Sequence, residues 1–442
     1  MSSRYHSPAD EINWQFSEKH LKIMSWWNKN SQVKNAFGII MDGAVRSGKT
    51  LPGSCSYALW AFDKFPKGGQ SFFFAGKSIG VLRRNVIRPL IKAGIYLGLA
   101  IQERRGDNMI VATNAAGYTN SFYLFGGNDE KSQDLIQGFT GAGGFFDEAP
   151  LMPQSFVDQG LARLSIEGST AWFTSNPDTP SLWFKTEFID KALSRGLLYL
   201  HMTMDDNLSL AETTKARYRT QFFGVFYRRY ILGEWCLADG LVYSVFDRSR
   251  MIVKASPIEE YGPLVLGCDY GIQNPQVYLL MGWHAKNARW EVIREYFHEG
   301  RNPEQGGQKT DAQYYEDLLS FAGTTKATDI IIDPSAASLI ATIRQGKRFR
   351  PISANNSVLD GIQFTSSLFQ TGKLVVADTC KNTIRELENY AWDTEKSKRE
   401  GKDVVLKKDD HCMDSLRYIC QTHIRRYAKL YGITLIESKE AA

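Results

Sequence analysis

The stretch FGIIMDGAVRSGKT (37–50) decides the fold of the first half of the chain. Its apolar run predicts a strand, and GAVRSGKT (43–50) follows directly and fits GxxxxGK[ST] at every fixed position. In such a loop, backbone N–H groups surround phosphate oxygens, the Lys49 ammonium reaches the β- and γ-phosphates, and Thr50 can ligate Mg²⁺. The stretch therefore predicts a nucleotide-binding loop made of Gly43, Arg46, Ser47, Gly48, Lys49 and Thr50.

Further apolar runs follow this strand at intervals typical of an α/β fold. They are SFFFAG (71–76), SFYLFG (121–126), GGFFD (143–147) and TAWFTS (170–175), with helix-like segments at 77–97 and 151–166 between them. Continuous hydrophobicity is typical of strands that are buried on both faces of a parallel sheet. The alternation of strand and helix predicts an α/β domain with a mainly parallel sheet.

A second motif, GGFFDEA (143–149), ends one of these strands with two acidic residues. Asp147 is expected to complete the Mg²⁺ shell, and Glu148 to polarise the attacking water. Two solvated carboxylates at a strand end are the alternative, which the upstream phosphate-binding loop makes less favourable.

Two polar positions near this site remain open from the residues alone. TSNP (174–177) ends the next strand, so Asn176 or Ser175 can sense the γ-phosphate, or the segment simply starts a turn before Pro177. The guanidinium of Arg46 can stabilise phosphate charge, or it can point away and pair with a surface carboxylate.

The second half restarts after GEWCLADGLVYSVFDR (233–248). Three runs predict an antiparallel meander, at 263–271, 276–283 and 289–297. A mixed α/β pattern follows, with strands at 329–333 and 374–378 and helices at 311–321, 335–346, 359–371 and 410–428. The pattern predicts a second domain with a mixed sheet.

Acidic residues stand at the ends of these strands and at the start of the last helix. Asp269 and Asp333 end apolar strands. Asp414 shares a helix face with Asp410, four residues before it, and is also a neighbour of His411, three residues before it. A carboxylate at a buried strand end costs desolvation unless it is paired or binds metal. The set predicts a site for two hard divalent ions. Turn, strand-stop and helix-start roles are the alternatives for the single residues.

A charge-rich stretch, KSKREGKDVVLKKDD (396–410), precedes the last helix. Gly401 can turn a hairpin there. The stretch offers a weak prediction of DNA-backbone contact through Lys402, Lys407 and Lys408, and a solvated hairpin is the alternative.

Composition sets outer limits on function. The chain has 442 residues, 43% hydrophobic and 23% charged, with a net charge of +5. These values favour a globular protein of two or three domains and permit, without indicating, a nucleic-acid partner. Six cysteines without a CxxC pair favour a reducing compartment. Without an apolar signal core or membrane-spanning run, we expect a cytoplasmic protein with no membrane partner.

Taken in order, the motifs resemble those of the large terminase subunits of tailed double-stranded DNA bacteriophages. GAVRSGKT is similar to that family's Walker A variant, FFDEA to its Walker B with adjacent catalytic Glu, and TSNP to its coupling motif. GEW…GLVY (233–243) is similar to the segment that joins its two halves, and GCDYG, IIIDPS and DDHCMDSLRY resemble its nuclease motifs. The resemblance spans almost the whole chain.

The resemblance implies an ASCE-type ATPase followed by an RNase H-like nuclease. The expected boundaries are 1–235 for the ATPase domain with a lid or linker near 196–235, 236–258 for a linker, and 259–442 for the nuclease. Lys49, Thr50 and Asp147 are expected to bind ATP and Mg²⁺, Glu148 and Arg46 to serve hydrolysis, and Asn176 to couple it. Asp269, Asp333 and Asp414 are expected to hold two Mg²⁺ or Mn²⁺ ions with His411 beside them. The role of Asp409 or Asp410 is open, and Arg104, Arg105 and Arg163 are candidates for an arginine finger.

The function implied is a DNA-packaging motor that drives double-stranded DNA into a procapsid and cuts concatemers. Its implied partners are the portal protein, the small terminase subunit and further copies of itself, as a pentamer on the portal. It would act in the host-cell cytoplasm, transiently on the procapsid and not in the mature virion. Two alternatives remain. One is a helicase–nuclease of repair or restriction, although an ATPase region of about 240 residues leaves no room for the second motor domain that such a helicase needs. The other is a nucleotide-switched DNA-binding scaffold.

Overall fold

The computed structural model describes residues 15–271, 274–302 and 307–435, and it divides into two compact units. The first runs to Arg219 and includes Tyr227–Leu237. The second includes Thr220–Phe226 and the chain from Ala238 onward. Two helices, α6 (Glu212–Gln221) and α7 (Gly224–Tyr230), span the points where the chain passes from one unit to the other.

The first unit has a central sheet with helices on both faces. Its strands are β1 (Gly38–Gly43), β2 (Ser71–Gly76), β3 (Ala100–Arg104), β4 (Met109–Thr113), β5 (Thr119–Gly126), β6 (Gly143–Phe146), β7 (Thr170–Ser175) and β8 (Leu197–Met202). Its helices are α1 (Glu18–Ser25), α2 (Thr50–Lys64), α3 (Ile79–Leu82), α4 (Arg88–Ala93) and α5 (Gln154–Ala162). A π-helical stretch, Arg83–Ile87, joins α3 to α4, so the predicted helix over 77–97 is a chain of shorter helical pieces.

The strands lie in the order β3-β4-β5-β2-β6-β7-β1-β8. All neighbouring pairs from β5 to β8 are parallel, whereas β4 runs antiparallel to both β3 and β5. Ile39 and Met41 pack in a core beneath α1 and α2, and Ile40 packs in the core on the opposite face, with α5. The predicted mainly parallel α/β sheet is therefore confirmed, with an antiparallel edge that the apolar runs did not indicate.

The second unit contains the predicted meander within a mixed sheet. Its strands are β9 (Ile252–Val253), β10 (Tyr261–Asp269), β11 (Gln276–His284), β12 (Arg289–His298), β13 (Asp329–Ile332), β14 (Arg350–Ser353) and β15 (Leu374–Ala377). Its helices are α8 (Arg248–Met251), α9 (Asp311–Ala322), α10 (Ala337–Gly346), α11 (Val358–Gln370), α12 (Lys381–Asn389), α13 (Thr394–Glu400) and α14 (His411–Tyr418).

The strand order of the second sheet is β14-β13-β10-β11-β12-β15-β9. Strands β10, β11 and β12 are antiparallel neighbours, and the remaining pairs are parallel. The mixed sheet is thus confirmed. Gly401 does turn the chain, because it ends α13 with a left-handed φ of 68°, and Val405 then forms an antiparallel bridge with Trp392. The predicted hairpin differs in that one of its arms contains a helix.

All six cysteines are free and buried, at positions 55, 236, 268, 380, 412 and 420. Burial is the main cause that raises the pKa of each thiol, to about 12 for Cys55, Cys380 and Cys420. In the described part of the chain, no helix is both long and apolar enough to cross a bilayer.

A buried carboxylate from a neighbouring helix holds the start of α14. The side chain of Glu386, on α12, is fully buried, and its Oε2 accepts hydrogen bonds from the backbone N–H groups of Cys412 (2.7 Å) and Met413 (3.2 Å). Burial raises the pKa of Glu386 to about 7 despite these hydrogen bonds. The charged form is therefore disfavoured in the folded state.

This pKa predicts how stability changes with pH. The pKa of Glu386 in the folded state lies above the ordinary value of 4.5, so the folded chain keeps this proton more tightly than the unfolded chain does. The free energy of unfolding therefore falls as the pH rises from 4.5 through 7. Glu386→Gln stays neutral, so we expect its unfolding free energy, relative to the original chain, to rise between pH 4.5 and 8 by on the order of 3 kcal/mol. Urea unfolding followed by circular dichroism at the two pH values measures this.

Glu388→Gln is the matched control, because Glu388 lies on the same helix but is partly exposed and pairs with Arg248. We expect its effect to be small at both pH values. A Glu386→Gln effect that is equal at both pH values would contradict the raised pKa of Glu386.

Candidate functional sites

The predicted phosphate-binding loop connects β1 to α2. Gly43 has a φ of +132°, and a Cβ there would lie 1.9 Å from the Met202 carbonyl oxygen, so the loop can leave the strand in this way only with glycine. Lys49 stands at the N-cap of α2, and Thr50 is the first residue of that helix. The hydroxyl of Ser47 is buried and has no hydrogen-bond partner among the described residues. An orphaned buried hydroxyl beside a helix N-terminus fits a loop that encloses an anion.

A chain of contacts links Lys49 to Glu148 through Asn176. The Lys49 ammonium donates to Asn176 Oδ1 at 2.5 Å, and Asn176 Nδ2 lies 2.6 Å from each carboxylate oxygen of Glu148. Glu148 follows β6 in a left-handed conformation, with φ 50° and ψ 51°. Asn176 therefore bridges the phosphate-binding lysine and the predicted base, which supports Asn176 over a simple turn at this position.

Burial shifts the pKa values of the basic and acidic groups of this site in opposite directions. Burial lowers the pKa of Lys49, although the nearby Glu148, Asp42 and Asp147 carboxylates oppose the shift. Burial and the neighbouring Glu148 raise the pKa of Asp147 to about 7, and a hydrogen bond from Thr174 Oγ1 (2.9 Å) counteracts them. Lys49 and Glu148 both contact Asn176, and Asp147 directly precedes Glu148, so the lysine and the two carboxylates lie together, as the donor set of an ATP–Mg²⁺ site requires.

Asp42, which the sequence reasoning missed, is fully buried at the end of β1. Its carboxylate accepts hydrogen bonds from Ser175 Oγ (2.7 Å), the Tyr199 hydroxyl (3.0 Å) and Trp235 Nε1 (3.1 Å). The Ser175 side chain is therefore turned towards Asp42, whereas Asn176 is turned towards Glu148. The sequence signal was a lone charge inside an otherwise apolar strand run.

Arg46 lies in the loop with a left-handed φ of 58° and an exposed side chain. Its Nε donates to the Tyr218 hydroxyl at 3.1 Å, and its carbonyl accepts from Asn207 Nδ2 at 2.8 Å. Of the arginine-finger candidates, Arg104 and Arg105 are exposed, and Arg163 is half-buried on the segment after α5.

The second site is built where α14 approaches β10. A Cβ at Gly267 would lie 2.6 Å from Ile419 and 2.8 Å from Ser415 Oγ. Glycine at this position of β10 therefore permits the close approach of α14 and the residue that follows it. Two residues later, Asp269 ends the strand, and its Oδ2 lies 2.8 Å from Nδ1 of His411 at the start of α14. Burial raises the pKa of Asp269, and repulsion from Asp414 adds to it. Burial alone would lower the pKa of His411, but the contact with Asp269 raises it overall.

Asp333 follows β13 and reaches the same helix through a tyrosine. Its Oδ2 accepts from Tyr418 on α14 (3.2 Å) and from Asn356 Nδ2 (2.7 Å), and its Oδ1 accepts from the Ser335 N–H (2.7 Å). Burial would raise the pKa of Asp333, but these hydrogen bonds lower it overall. Asp333 is therefore kept ionised at the edge of the site.

Asp414 is held by two basic side chains. Its Oδ2 lies 3.1 Å from the Lys407 ammonium and its Oδ1 accepts from Arg417 at 2.7 Å. Lys407 also lies 2.9 Å from the buried Asp410, whereas Asp409 is exposed. The predicted DNA contact Lys407 thus faces the acidic site in this conformation. Lys402 pairs with Glu400 (3.2 Å), and Lys408 is exposed.

The four predicted ligands Asp269, Asp333, His411 and Asp414 do not close into one metal cluster in this conformation. Across residues 15–271, 274–302 and 307–435, no three His, Cys, Asp or Glu side chains converge in a metal-binding arrangement. Asp414 is nevertheless near enough to Asp269 to shift its pKa, and the Lys407 ammonium already occupies a cation position beside Asp414. Repelling carboxylates with a cation among them fit a divalent-ion site.

The fold and these two sites define a class, a phosphate-binding-loop domain joined to an RNase H-like domain. The family model described as "Terminase large subunit, T4likevirus-type, N-terminal" matches residues 40–250, and "Terminase RNAseH like domain" matches 272–421. The solved large terminase of a thermophilic bacteriophage is 46% identical, over 93% of this chain and all of that one, with a TM-score of 0.79.

The chain therefore belongs to the large terminase subunit family, as its motifs predicted. The large terminase of the same thermophilic phage has also been solved with ATP-γ-S, at 45% identity over 93% of this chain and all of that one, with a TM-score of 0.74. The terminase large subunit of Escherichia phage T5 is 27% identical over 293 residues, which are 62% of this chain and 63% of the T5 protein. Neither the helicase–nuclease nor the nucleotide-switched scaffold finds support among these relatives.

The position of Lys407 leads to a prediction about metal binding. Its ammonium lies 3.1 Å from Asp414 Oδ2, so a divalent ion that binds this oxygen would have to displace it. We therefore expect Lys407→Met to tighten Mn²⁺ binding about fivefold, equivalent to about 1 kcal/mol. Isothermal titration calorimetry without nucleotide measures this. Lys402→Met is the control, because it removes the same charge from a lysine that pairs with Glu400 instead. Equal or weaker binding after Lys407→Met would refute the competition.

Proposed function

We propose that this chain is the ATP-driven motor and the nuclease that package viral double-stranded DNA. The observation that carries the proposal is the contact chain from Lys49 through Asn176 to Glu148, because it joins a phosphate-binding lysine to a base able to activate water. The acidic site at the start of α14, on the same polypeptide, supplies the second activity. Bound ATP and Mg²⁺ would supply the scissile phosphate bond and neutralise its charge.

We assign the roles in the first unit as follows. Gly43, Arg46, Ser47, Gly48 and Lys49 bind the phosphates, Thr50 and Asp147 hold Mg²⁺, and Glu148 orients the attacking water. Asn176 couples hydrolysis to movement, since its amide holds both Lys49 and Glu148. When the lysine turns to phosphate oxygens, Asn176 loses one of its two partners and the restraint on Glu148 changes. The limits 1–235, with a lid or linker near 196–235, are proposed for this ATPase domain.

In the second unit, with proposed limits 259–442 after a linker at 236–258, we assign Asp269, Asp333 and Asp414 as metal ligands. His411 lies against Asp269 and fixes the orientation of that carboxylate. Two Mg²⁺ or Mn²⁺ ions bound there would stabilise the attacking and leaving oxygens of a DNA phosphate. Lys407 must release Asp414 before a metal can use both of its oxygens, and Lys402 and Lys408 remain proposed contacts to the DNA backbone.

Packaging requires partners besides DNA. Membership of the terminase family supports DNA, the portal protein and the small terminase subunit as partners in an infected cell, and we propose a pentamer on the portal for the working state. The site of action is proposed to be the host-cell cytoplasm, on the procapsid and absent from the mature virion. A ring around DNA would turn single closures of the nucleotide site into continuous movement.

The motor activity is tested by Glu148→Gln. This change keeps the size of the side chain and its contact with Asn176 but removes the base, so we expect ATP binding to persist and hydrolysis to fall about 10²- to 10⁴-fold. Phosphate release measured with and without procapsids of the same virus checks both parts. Stimulation of the original chain by forked DNA but not by procapsids would favour a helicase, and unchanged turnover in Glu148→Gln would remove Glu148 from its role.

The nuclease activity is tested by plasmid cleavage with Mg²⁺ or Mn²⁺. We expect Asp269→Ala and Asp333→Ala each to reduce cleavage more than about 100-fold, because each removes a ligand, while ATP hydrolysis is unchanged. Asp311→Ala is the control, since this carboxylate accepts from Tyr270 in the same unit but belongs to no proposed metal site. Metal-dependent cleavage that survives in Asp269→Ala would place the nuclease centre elsewhere.

A further inference from the structure

The helix that carries His411 and Asp414 is not capped by the side chain of its own N-cap residue. Asp410 occupies the N-cap position of α14 without a side-chain cap hydrogen bond. The cap comes instead from Glu386, whose Oε2 accepts from the N–H groups of Cys412 and Met413, the second and third residues of the helix. A carboxylate at a helix N-terminus satisfies unpaired N–H groups and is stabilised by the helix dipole.

The helix that carries Glu386 is held in the same way. Glu295, on β12, receives the N–H groups of Asn382 and Thr383 at 2.8 Å each, at the start of α12. The Thr383 hydroxyl (2.7 Å) and the Asn382 side-chain amide (3.1 Å) donate to the same carboxylate. Two carboxylate caps in series thus connect β12 of the sheet to α12, and α12 to the start of α14.

Hydrogen bonds to a carboxyl oxygen are directional, so each cap fixes the axial position and rotation of the helix it holds. His411 is the first residue of α14, immediately before Cys412, and Asp414 immediately follows Met413. Asp269, the proposed ligand that faces them, belongs to β10. This strand lies in the same sheet as β12, which carries Glu295. The separation between the two groups of ligands therefore depends on where the caps hold α14.

We propose that Glu386 and Glu295 are positioning residues for the nuclease metal site, which they serve by setting the place of α14 relative to β10. The inference rests on the proposed nuclease function and adds two residues to it. Neither glutamate touches Asp269, Asp333 or Asp414 in the contacts described above. They act through the backbone of the helices.

Stability alone does not account for Glu386. Its side chain is fully buried, its Oε1 has no hydrogen-bond partner in the part of the chain that the structure describes, and burial raises its pKa to about 7. A carboxyl group that is costly to ionise, and that contacts the first turn of the helix with the proposed metal ligands, is better explained by the position it imposes than by the stability it adds.

Mn²⁺ binding to the full chain, without nucleotide or DNA, tests the proposal by calorimetry. Removal of groups that orient metal ligands commonly weakens binding 10- to 100-fold, so we expect a loss of about tenfold or more in Glu386→Ala. Glu386→Gln keeps an acceptor oxygen for the two N–H groups and is expected to bind within about threefold of the original chain. Glu295→Ala, one helix further away, is expected to show a smaller loss.

Two further variants keep the outcome interpretable. Glu386→Asp keeps the charge but shortens the reach by one methylene, and it serves if the alanine variant does not fold; we expect it also to lose Mn²⁺ affinity. Glu291→Gln is the matched control, because Glu291 is also buried in the same unit but binds Tyr261 and Arg289. Its Mn²⁺ affinity is expected to be unchanged, whatever its effect on stability.

Mn²⁺ affinity at the original level in folded Glu386→Ala or Glu386→Asp would overturn the proposal. An equal loss in Glu291→Gln would overturn it too, because any buried glutamate would then have the same effect. Asp414→Ala separates the two levels of inference. If Asp414→Ala also leaves Mn²⁺ binding intact, the proposed metal site itself fails, whereas a loss in Asp414→Ala alone leaves the metal site and removes the two positioning residues.

Discussion

The need to pair charges that are buried at strand ends is the constraint on which both units depend. Asp42 illustrates it: a fully buried carboxylate at the end of β1 binds Ser175 of β7, Tyr199 of β8 and Trp235 of the segment that follows α7. An unpaired charge at this depth would cost several kcal/mol. The pairing therefore fixes the neighbouring strands at the same edge where the phosphate-binding loop begins, and the loop inherits its geometry from them.

Both sites meet this constraint with partners that a ligand can replace. In the first unit the neutral amide of Asn176 stands between Lys49 and Glu148, so neither charge is left alone. In the second unit Lys407 stands beside Asp414. Under the proposed roles, a phosphate that binds Lys49 or a metal ion that binds Asp414 would replace one of these contacts. In both units, therefore, a charged side chain of the proposed site already has a partner from another element of the same unit.

Local pattern predicted most of the fold because the central strands are short, continuous apolar runs, such as Phe72–Phe74 in β2, which are typical of strands buried on both faces of a sheet. The missed strands are β3, β4, β8, β9 and β14. They lie at a sheet edge or next to one, where pairing depends on distant residues. Lys49, Glu148 and Asn176 followed from motifs. Asp42, Glu295 and Glu386 did not, because no spacing along the sequence reveals which carboxylate will meet a helix start or a tyrosine from another element.

The burial of all six thiols has a practical consequence for following this motor at work. Maleimide reagents need an accessible thiolate, and here burial both hides the sulfur atoms and raises their pKa. A single cysteine introduced at an exposed position can therefore carry a fluorophore selectively, without prior removal of the native cysteines. The native thiols then serve as a built-in reporter of unfolding, because their labelling begins only when a core opens.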